Sequence, residues 1–174
     1  MTEKTAIFAG GCFWCMQPPF DNQEGVISTA VGYAGGEGNT ANYDKVSMGT
    51  SGHREVFQVK YDSQKVKYEQ LLEIFWQNID PFQGDGQLHD RGHQYTTAIY
   101  YNDETEKAAA EKSKAEYENK FGKKIATAIE PSKEFYAAED YHQDYYKKNP
   151  LRYGMYSTGS DRKEHLKKIW SDTK

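Results

Sequence analysis

Cys12 and Cys15 are the only cysteines in the chain, and they stand three positions apart. A thiol attacks as its thiolate, and a second thiol about one helical turn away can condense with it once it is oxidised. The spacing alone leaves three readings open: a redox pair, half of a zinc site, or two buried structural cysteines. A zinc site needs two further ligands; the only closely spaced candidates are His89 and His93, and there is no second cysteine pair. A thioredoxin-type exchange motif follows a strand within a longer N-terminal βαβ unit, whereas only 11 residues precede Cys12. Between the cysteines lie Phe13 and Trp14. Large aromatics beside a nucleophile expose apolar surface at a cost unless a small apolar group binds there. The competing reading makes both rings anchors of a helix in the core.

The element that presents the pair is readable from its flanks. Thr5 to Ala9 reads as a short strand ending at Gly10-Gly11, where the chain can turn sharply and begin a helix toward Phe20. Cys12 then falls at a helix N-terminus, where free N–H groups and the helix dipole favour a thiolate. Segments 25–33 and 55–61 alternate as strands, 96–101 reads as a fourth and 127–130 as a fifth. From Lys67 the spacing of Leu71, Leu72, Phe75, Trp76 and Ile79 is that of an amphipathic helix that stops at Asp80-Pro81. Asp103 and Glu106 offer a capping box for a long helix ending at Phe121-Gly122. Asp140 to Lys148 reads as one more helix and Asp161 to Trp170 as a tail helix. Residues 81–95 hold three glycines, two histidines and two aspartates without a period, which marks a loop with a function. Strands and helices mix without strict alternation, so a mixed sheet with helices packed on it is expected.

Length and composition bound the rest. A chain of 174 residues fits a single catalytic domain over 1–174, with a core over about 4–157 and a tail helix over about 160–171. The 22 basic and 26 acidic residues give no cationic face, so nucleic acid is not an expected partner. No apolar run approaches the ~20 residues that span a bilayer, and Met1 to Lys4 leads into a strand rather than a signal-peptide core. A cytoplasmic monomer is expected. Fourteen tyrosines is an unusual count for a core, since a buried phenol needs a partner.

Gly11-Cys12-Phe13-Trp14-Cys15 resembles the motif of the A-class peptide methionine-S-sulfoxide reductases, and the likeness runs from about residue 4 to about residue 157. Segments 31–36, Gly52-His53-Arg54-Glu55, Asp80-Pro81, 90–95 and 138–143 are similar to that family's motifs in its order. The resemblance implies an α+β two-layer α/β sandwich on a mixed sheet, a ferredoxin-like variant. It implies reduction of methionine S-sulfoxide, free or in oxidised proteins, with no bound cofactor or metal. Thioredoxin, or dithiothreitol in vitro, would supply the electrons. Cys12 would attack the sulfoxide sulfur, with Phe13 and Trp14 walling the pocket for the S-methyl group. Glu55 would protonate the oxygen, Tyr43 and Tyr95 would hydrogen-bond it, and Asp90 would bind the substrate's main-chain N–H or an ordered water.

The residue chemistry agrees with those roles. A sulfoxide oxygen leaves only if protonated, and a glutamate remains protonated near neutral pH only if burial raises its pKa. Glu55 heads an apolar strand, so strand alternation points Arg54 to the opposite face. By position alone Glu55 reads as a solvent-facing strand residue, and Tyr43 and Tyr95 as ordinary core tyrosines. The histidines 53, 89, 93 and 142 receive supporting roles, since the chemistry asks for no histidine base.

Two positions depart from the family pattern. Gln17 stands where many members carry glutamate, which implies a changed local hydrogen bond. The tail segment Arg152-Tyr153-Gly154-Met155 lacks the recycling cysteine that relatives often place there. Recycling is therefore expected through a Cys12–Cys15 disulfide, or through direct attack on Cys12 by an external thiol. Two rival functions stay open: a general disulfide oxidoreductase, and a module that binds oxidised methionine without turnover.

Overall fold

β1 (Glu3–Gly10) starts in solvent and ends fully buried, and its alternation sends Ala6 and Phe8 to one face and Ile7 and Ala9 to the other. After the Gly10-Gly11 turn comes α1 (Phe13–Asp21), then β2 (Val26–Ala34), the short α2 (Tyr43–Ser47), β3 (Arg54–Asp62) and α3 (Tyr68–Gln77). A two-strand ribbon follows, β4 (Gly86–Gln87) with β5 (Asp90–Arg91), before β6 (Thr97–Tyr101) and the long α4 (Glu104–Phe121). The chain closes with β7 (Ala128–Pro131), β8 (Tyr136–Ala137), α5 (Tyr145–Lys148), α6 (Pro150–Gly159) and α7 (Arg162–Trp170). This computed structural model describes residues 1–171; residues 172–174, the end of the span expected as one domain, lie outside the described residues.

Six strands form one mixed sheet in the order β7-β6-β1-β3-β2-β8, antiparallel throughout except for the parallel β6–β7 pair. The expected α+β architecture is therefore present. The helical face of the sheet buries Phe8, Val31, Tyr33, Phe57, Val59 and Tyr61 against Phe20 of α1 and Leu71, Leu72, Phe75 and Trp76 of α3. Each such side chain contributes about 1.5–3 kcal/mol on leaving water. The opposite face carries a smaller cluster of Ile7, Ala9, Val56, Ala98 and Tyr100, with Phe135 packed against it.

Arg54 lies on that second face, as alternation requires, and its guanidinium donates to Tyr100 Oη at 3.0 Å and pairs with Glu130 at 3.1 Å. The cap of α4 departs slightly from expectation. Asp103 accepts the Glu106 N–H at 2.8 Å, but the Glu106 carboxylate reaches past the cap to the Asn102 N–H at 2.8 Å.

The helix expected over Asp140–Lys148 is broken. A 3₁₀ turn occupies Asp140–His142, Asp144 sits in the left-handed region at φ 52°, and only Tyr145–Lys148 is α-helical. The cause is Gln143, whose side chain accepts from the Val31 N–H at 2.9 Å and donates to the Val31 carbonyl at 2.8 Å. It thereby satisfies the edge of β2 beyond the two-residue β8, and a regular helix cannot hold it there.

Candidate active site

Cys12 is the N-cap of α1, in a turn that needs Gly11 at φ +84°. A Cβ on Gly11 would lie 2.6 Å from Gln87 Cβ, so the glycine lets the turn press against β4. Pro18 and Pro19 lie inside α1 and lack N–H groups, which deprives the Trp14 and Cys15 carbonyls of their usual helical donors. Both cysteines are buried free thiols, each 6 % exposed, and their side chains hydrogen-bond one another.

Glu55 reaches α1 from the head of β3, and its Oε1 accepts the Phe13 N–H at 3.3 Å. Burial pushes its carboxyl up to about 8, against the opposing pull of that N–H, with the Asp90 charge adding to the rise. At neutral pH Glu55 is therefore a buried acid able to donate a proton.

Burial raises the Cys12 thiol well above its ordinary range, and the bonded Cys15 sulfur and the Glu55 charge raise it further, while the Tyr156 hydroxyl opposes. Cys15 moves the other way, down to about 7. The Cys12 hydrogen bond is the main cause; burial opposes it, while Arg162 and the Tyr153 hydroxyl assist. The helix terminus was expected to favour a Cys12 thiolate; burial and the neighbouring Cys15 work against it.

A cavity of about 100 Å³ opens over the Cys12 sulfur, lined by Cys12, Phe13, Trp14, Tyr43, Glu55, Asp90, Tyr95 and Tyr156. Since one water occupies about 30 Å³ of liquid, there is room for three or four small groups, such as a methyl, a sulfur, an oxygen and a methylene. Wider clefts of about 560 and 500 Å³ lie against α3 and α4, and neither contains a cysteine. The chemistry belongs to the small cavity.

Two side chains from segment 138–143, Glu139 and His142, support its walls from behind. Trp14 Nε1–H donates to His142 Nδ1 at 3.1 Å, which puts the imidazole proton on Nε2 because an indole only donates. Burial lowers the His142 pKa, so the ring is a neutral acceptor at physiological pH. His142 Nε2 faces Glu139 Oε2 at 3.5 Å, close enough to orient the ring and too long for a good hydrogen bond. Glu139 also accepts the Tyr43 N–H and the Tyr33 hydroxyl, each at 2.9 Å. Burial would raise this carboxyl, but those bonds and the facing imidazole together hold it below its usual range. Tyr145 stacks on Trp14 with ring centroids 4.0 Å apart.

Asp90 comes from the β4–β5 ribbon, and its Oδ2 accepts the Tyr156 hydroxyl at 2.6 Å. The ribbon turns through Leu88 at φ 54°, a conformation rare for a side chain of this size, and Gln83 clamps both backbone polar groups of Leu88. Tyr43 and Tyr95 have their phenols pushed up, mainly by burial and then by Glu55, and stay protonated donors.

Of the residues given catalytic or substrate roles from the sequence, Cys12, Phe13, Trp14, Tyr43, Glu55, Asp90 and Tyr95 all line one cavity, while Cys15 is bonded to Cys12 outside that lining. Tyr153, Tyr156 and Arg162 were not anticipated. The segment of Tyr153 and Tyr156 shows no helical apolar period and its only signal was the excess of tyrosine, whereas Arg162 falls in the expected tail helix with nothing to mark it for the site. Gln17 donates to Thr29 at 3.0 Å and, more weakly, to the Asp144 carboxylate at 3.5 Å, and accepts the Asp144 N–H at 3.0 Å, away from the cavity. Among the described residues no group of three His, Cys, Asp or Glu is placed to hold a metal ion, and no helix is long and apolar enough to cross a membrane.

A two-layer fold with a buried thiol facing a buried acid defines a thiol-dependent oxidoreductase site, and comparison with known proteins names the class. The family model for peptide methionine sulfoxide reductase matches residues 4–174. The chain is 48 % identical over 169 residues to the peptide methionine sulfoxide reductase MsrA of Halalkalibacterium halodurans, covering 96 % of each. Its fold superposes on Mxr1 from Saccharomyces cerevisiae in reduced form with a TM-score of 0.81, at 34 % identity over 86 % of this chain and 87 % of that one. Mxr1 in complex with Trx2 matches with a TM-score of 0.57, at 26 % identity over 82 % of this chain and 84 % of that one. The chain belongs to the peptide methionine sulfoxide reductase family and is a reductase of the A type.

Proposed function

We propose that this single-domain, monomeric, cytoplasmic enzyme reduces the S epimer of methionine sulfoxide, free or in oxidised proteins, through Cys12. The observation that carries the mechanism is the shared cavity in which the Cys12 sulfur and the protonated Glu55 carboxyl both face the space for one sulfoxide. The S-methyl group lies against Phe13 and Trp14. Tyr43 and Tyr95 donate hydrogen bonds to the oxygen, and Asp90, bonded to Tyr156, faces the substrate's backbone.

The Cys12 thiolate attacks the sulfoxide sulfur while Glu55 delivers a proton to the oxygen, giving an adduct in which the substrate sulfur is bonded to Cys12 and to the hydroxyl. The hydroxyl passes to the Cys12 sulfur as the substrate S–O bond and the bond between the two sulfurs break, methionine leaves, and Cys12 is left as a sulfenic acid. The substrate sulfur gains two electrons and Cys12 loses two. Cys15 then attacks the Cys12 sulfur, expels water and closes a disulfide. A thioredoxin dithiol reopens it, a step supported by the likeness to the Mxr1–Trx2 complex.

The test of the recycling route is Cys15→Ser assayed with thioredoxin and with dithiothreitol. Loss of thioredoxin-driven turnover is expected, with a slower first turnover that still forms one equivalent of methionine. Full thioredoxin-driven turnover would show that an external thiol resolves Cys12 directly.

A further inference from the structure

Arg162, the first residue of α7, is 6 % exposed, and its guanidinium bonds only neutral acceptors: the Asn78 carbonyl at 2.6 Å, Met16 Sδ at 3.1 Å and the Gly10 carbonyl at 3.3 Å. None of the ion pairs among the described residues includes it. A buried cation without an anion is a costly arrangement. Its three acceptors bracket the cysteine turn, since Gly10 lies two residues before Cys12 and Met16 one residue after Cys15.

We propose that Arg162 is a positioning residue whose missing counter-ion is the Cys15 sulfur, and that Cys15 takes the proton of Cys12 to arm it before resolving it. This rests on the reading of Cys12 and Cys15 as the redox pair. The charged and titratable groups facing Cys15 are Cys12 of the turn, Tyr153 and Tyr156 of α6, Arg162 of α7, Asp90 of β5 and Glu55 of β3. Arg162 is the one cation in that set. Of the groups it favours as anions, burial raises the Tyr153 phenol above its ordinary value, whereas Cys15 is drawn down to about 7.

The protons balance. The resting pair is a Cys12 thiol hydrogen-bonded to a Cys15 thiolate. When substrate enters, the Cys12 proton passes to Cys15, leaving a Cys12 thiolate and a neutral Cys15 thiol. Cys12 takes the sulfoxide oxygen with the proton from Glu55. The Cys15 thiol then attacks the sulfenic acid, and its proton leaves in the water released.

The test is the titration of the carbon shifts of labelled cysteine in the reduced enzyme, which resolves two residues, assigned with Cys15→Ser. In wild type, Cys15 is expected to titrate near about 7 and Cys12 well above it. Arg162→Met is expected to move the Cys15 transition up by about one unit or more, and Arg162→Lys to keep it within a few tenths. Methionine formation in a single turnover at neutral pH is expected to fall about tenfold in Arg162→Met and in Cys15→Ser, and to be preserved in Arg162→Lys. If Cys12 carries the lower transition, or Arg162→Met leaves the Cys15 transition in place, the proposal is overturned. The wild-type titration decides even if Arg162→Met does not fold. Failure of the redox-pair reading looks different: wild type would then form methionine and stop at a sulfenic acid with no disulfide.

Discussion

Glu55 is held at the site against its own preference. In the unfolded chain its carboxyl ionises at an ordinary value, while in the fold it keeps its proton up to about 8. Because the folded value is the raised one, its contribution is intact at low pH and is lost progressively as pH climbs through the window between the two values. Glu55→Gln keeps an acceptor for the Phe13 N–H and removes that loss. Denaturant titrations are expected to show the variant equal to wild type near pH 4 and more stable by about 3 kcal/mol near pH 7. Its methionine formation should fall by about 100-fold or more, as expected for removal of a general acid. Wild-type rate is expected to fall above about pH 8 as Glu55 loses its proton, and below about pH 7 as Cys15 gains one, a narrow bell that belongs to the coupled site. A flat alkaline limb would remove Glu55 as the donor. At this scale the sequence was informative about identity and silent about ionisation. The types and spacing of Cys12, Phe13, Trp14 and Glu55 pointed to the chemistry, but not to the burial and the Cys15 contact that act against a Cys12 thiolate. Those effects come from the packed fold, in which Glu55 reaches the Phe13 N–H across 42 residues of sequence.

Elements were legible where a periodic pattern met a local stop signal. β1 ends at Gly10, α3 runs over Leu71, Phe75 and Trp76, and α4 lies between Asp103 and Gly122, all as the sequence implies. What escaped was structure made by distant partners: α2 tied by Glu139, β8 paired with only Gly32 and Tyr33, and the break at Asp144. α6 carries Gly154 and Gly159 and no buried residue, so neither propensity nor pattern announces it. Gly32 shows how such contacts are specified, because a Cβ there would lie 2.3 Å from the Tyr136 carbonyl oxygen. Gly32→Ala should push β8 away and loosen the Glu139 and His142 supports. A destabilisation of about 2–4 kcal/mol is expected, read from the denaturant midpoint, with a fall in rate that accompanies a redshift of Trp14 fluorescence. Unchanged stability would mean that the edge strand does not hold the site.

The molecule as a whole closes on itself through its C-terminal helices. α6 lays Tyr156 over the cavity, and α7 returns across α3 and α4, where the Trp170 Nε1–H donates to the Ile79 carbonyl at 3.2 Å. The Trp170 ring packs edge-on against Tyr117 and Phe121, with centroids 5.2 and 5.4 Å away. Trp170→Ala is expected to cost about 2 kcal/mol and to lower Tm by about 4–8 °C, measured by calorimetry. The single-turnover rate of that variant at low temperature should stay near wild type if α7 still docks through Arg162. The central claim of the account is that one thiol, Cys12, reduces one epimer of methionine sulfoxide in the cavity it shares with Glu55. The most direct measurement follows both resolved epimers of a dabsylated methionine sulfoxide with dithiothreitol, for wild type and for Cys12→Ser. The account predicts conversion of the S epimer alone by wild type and none by the variant. Conversion of the R epimer, or sulfide formed by a folded Cys12→Ser protein, would contradict it.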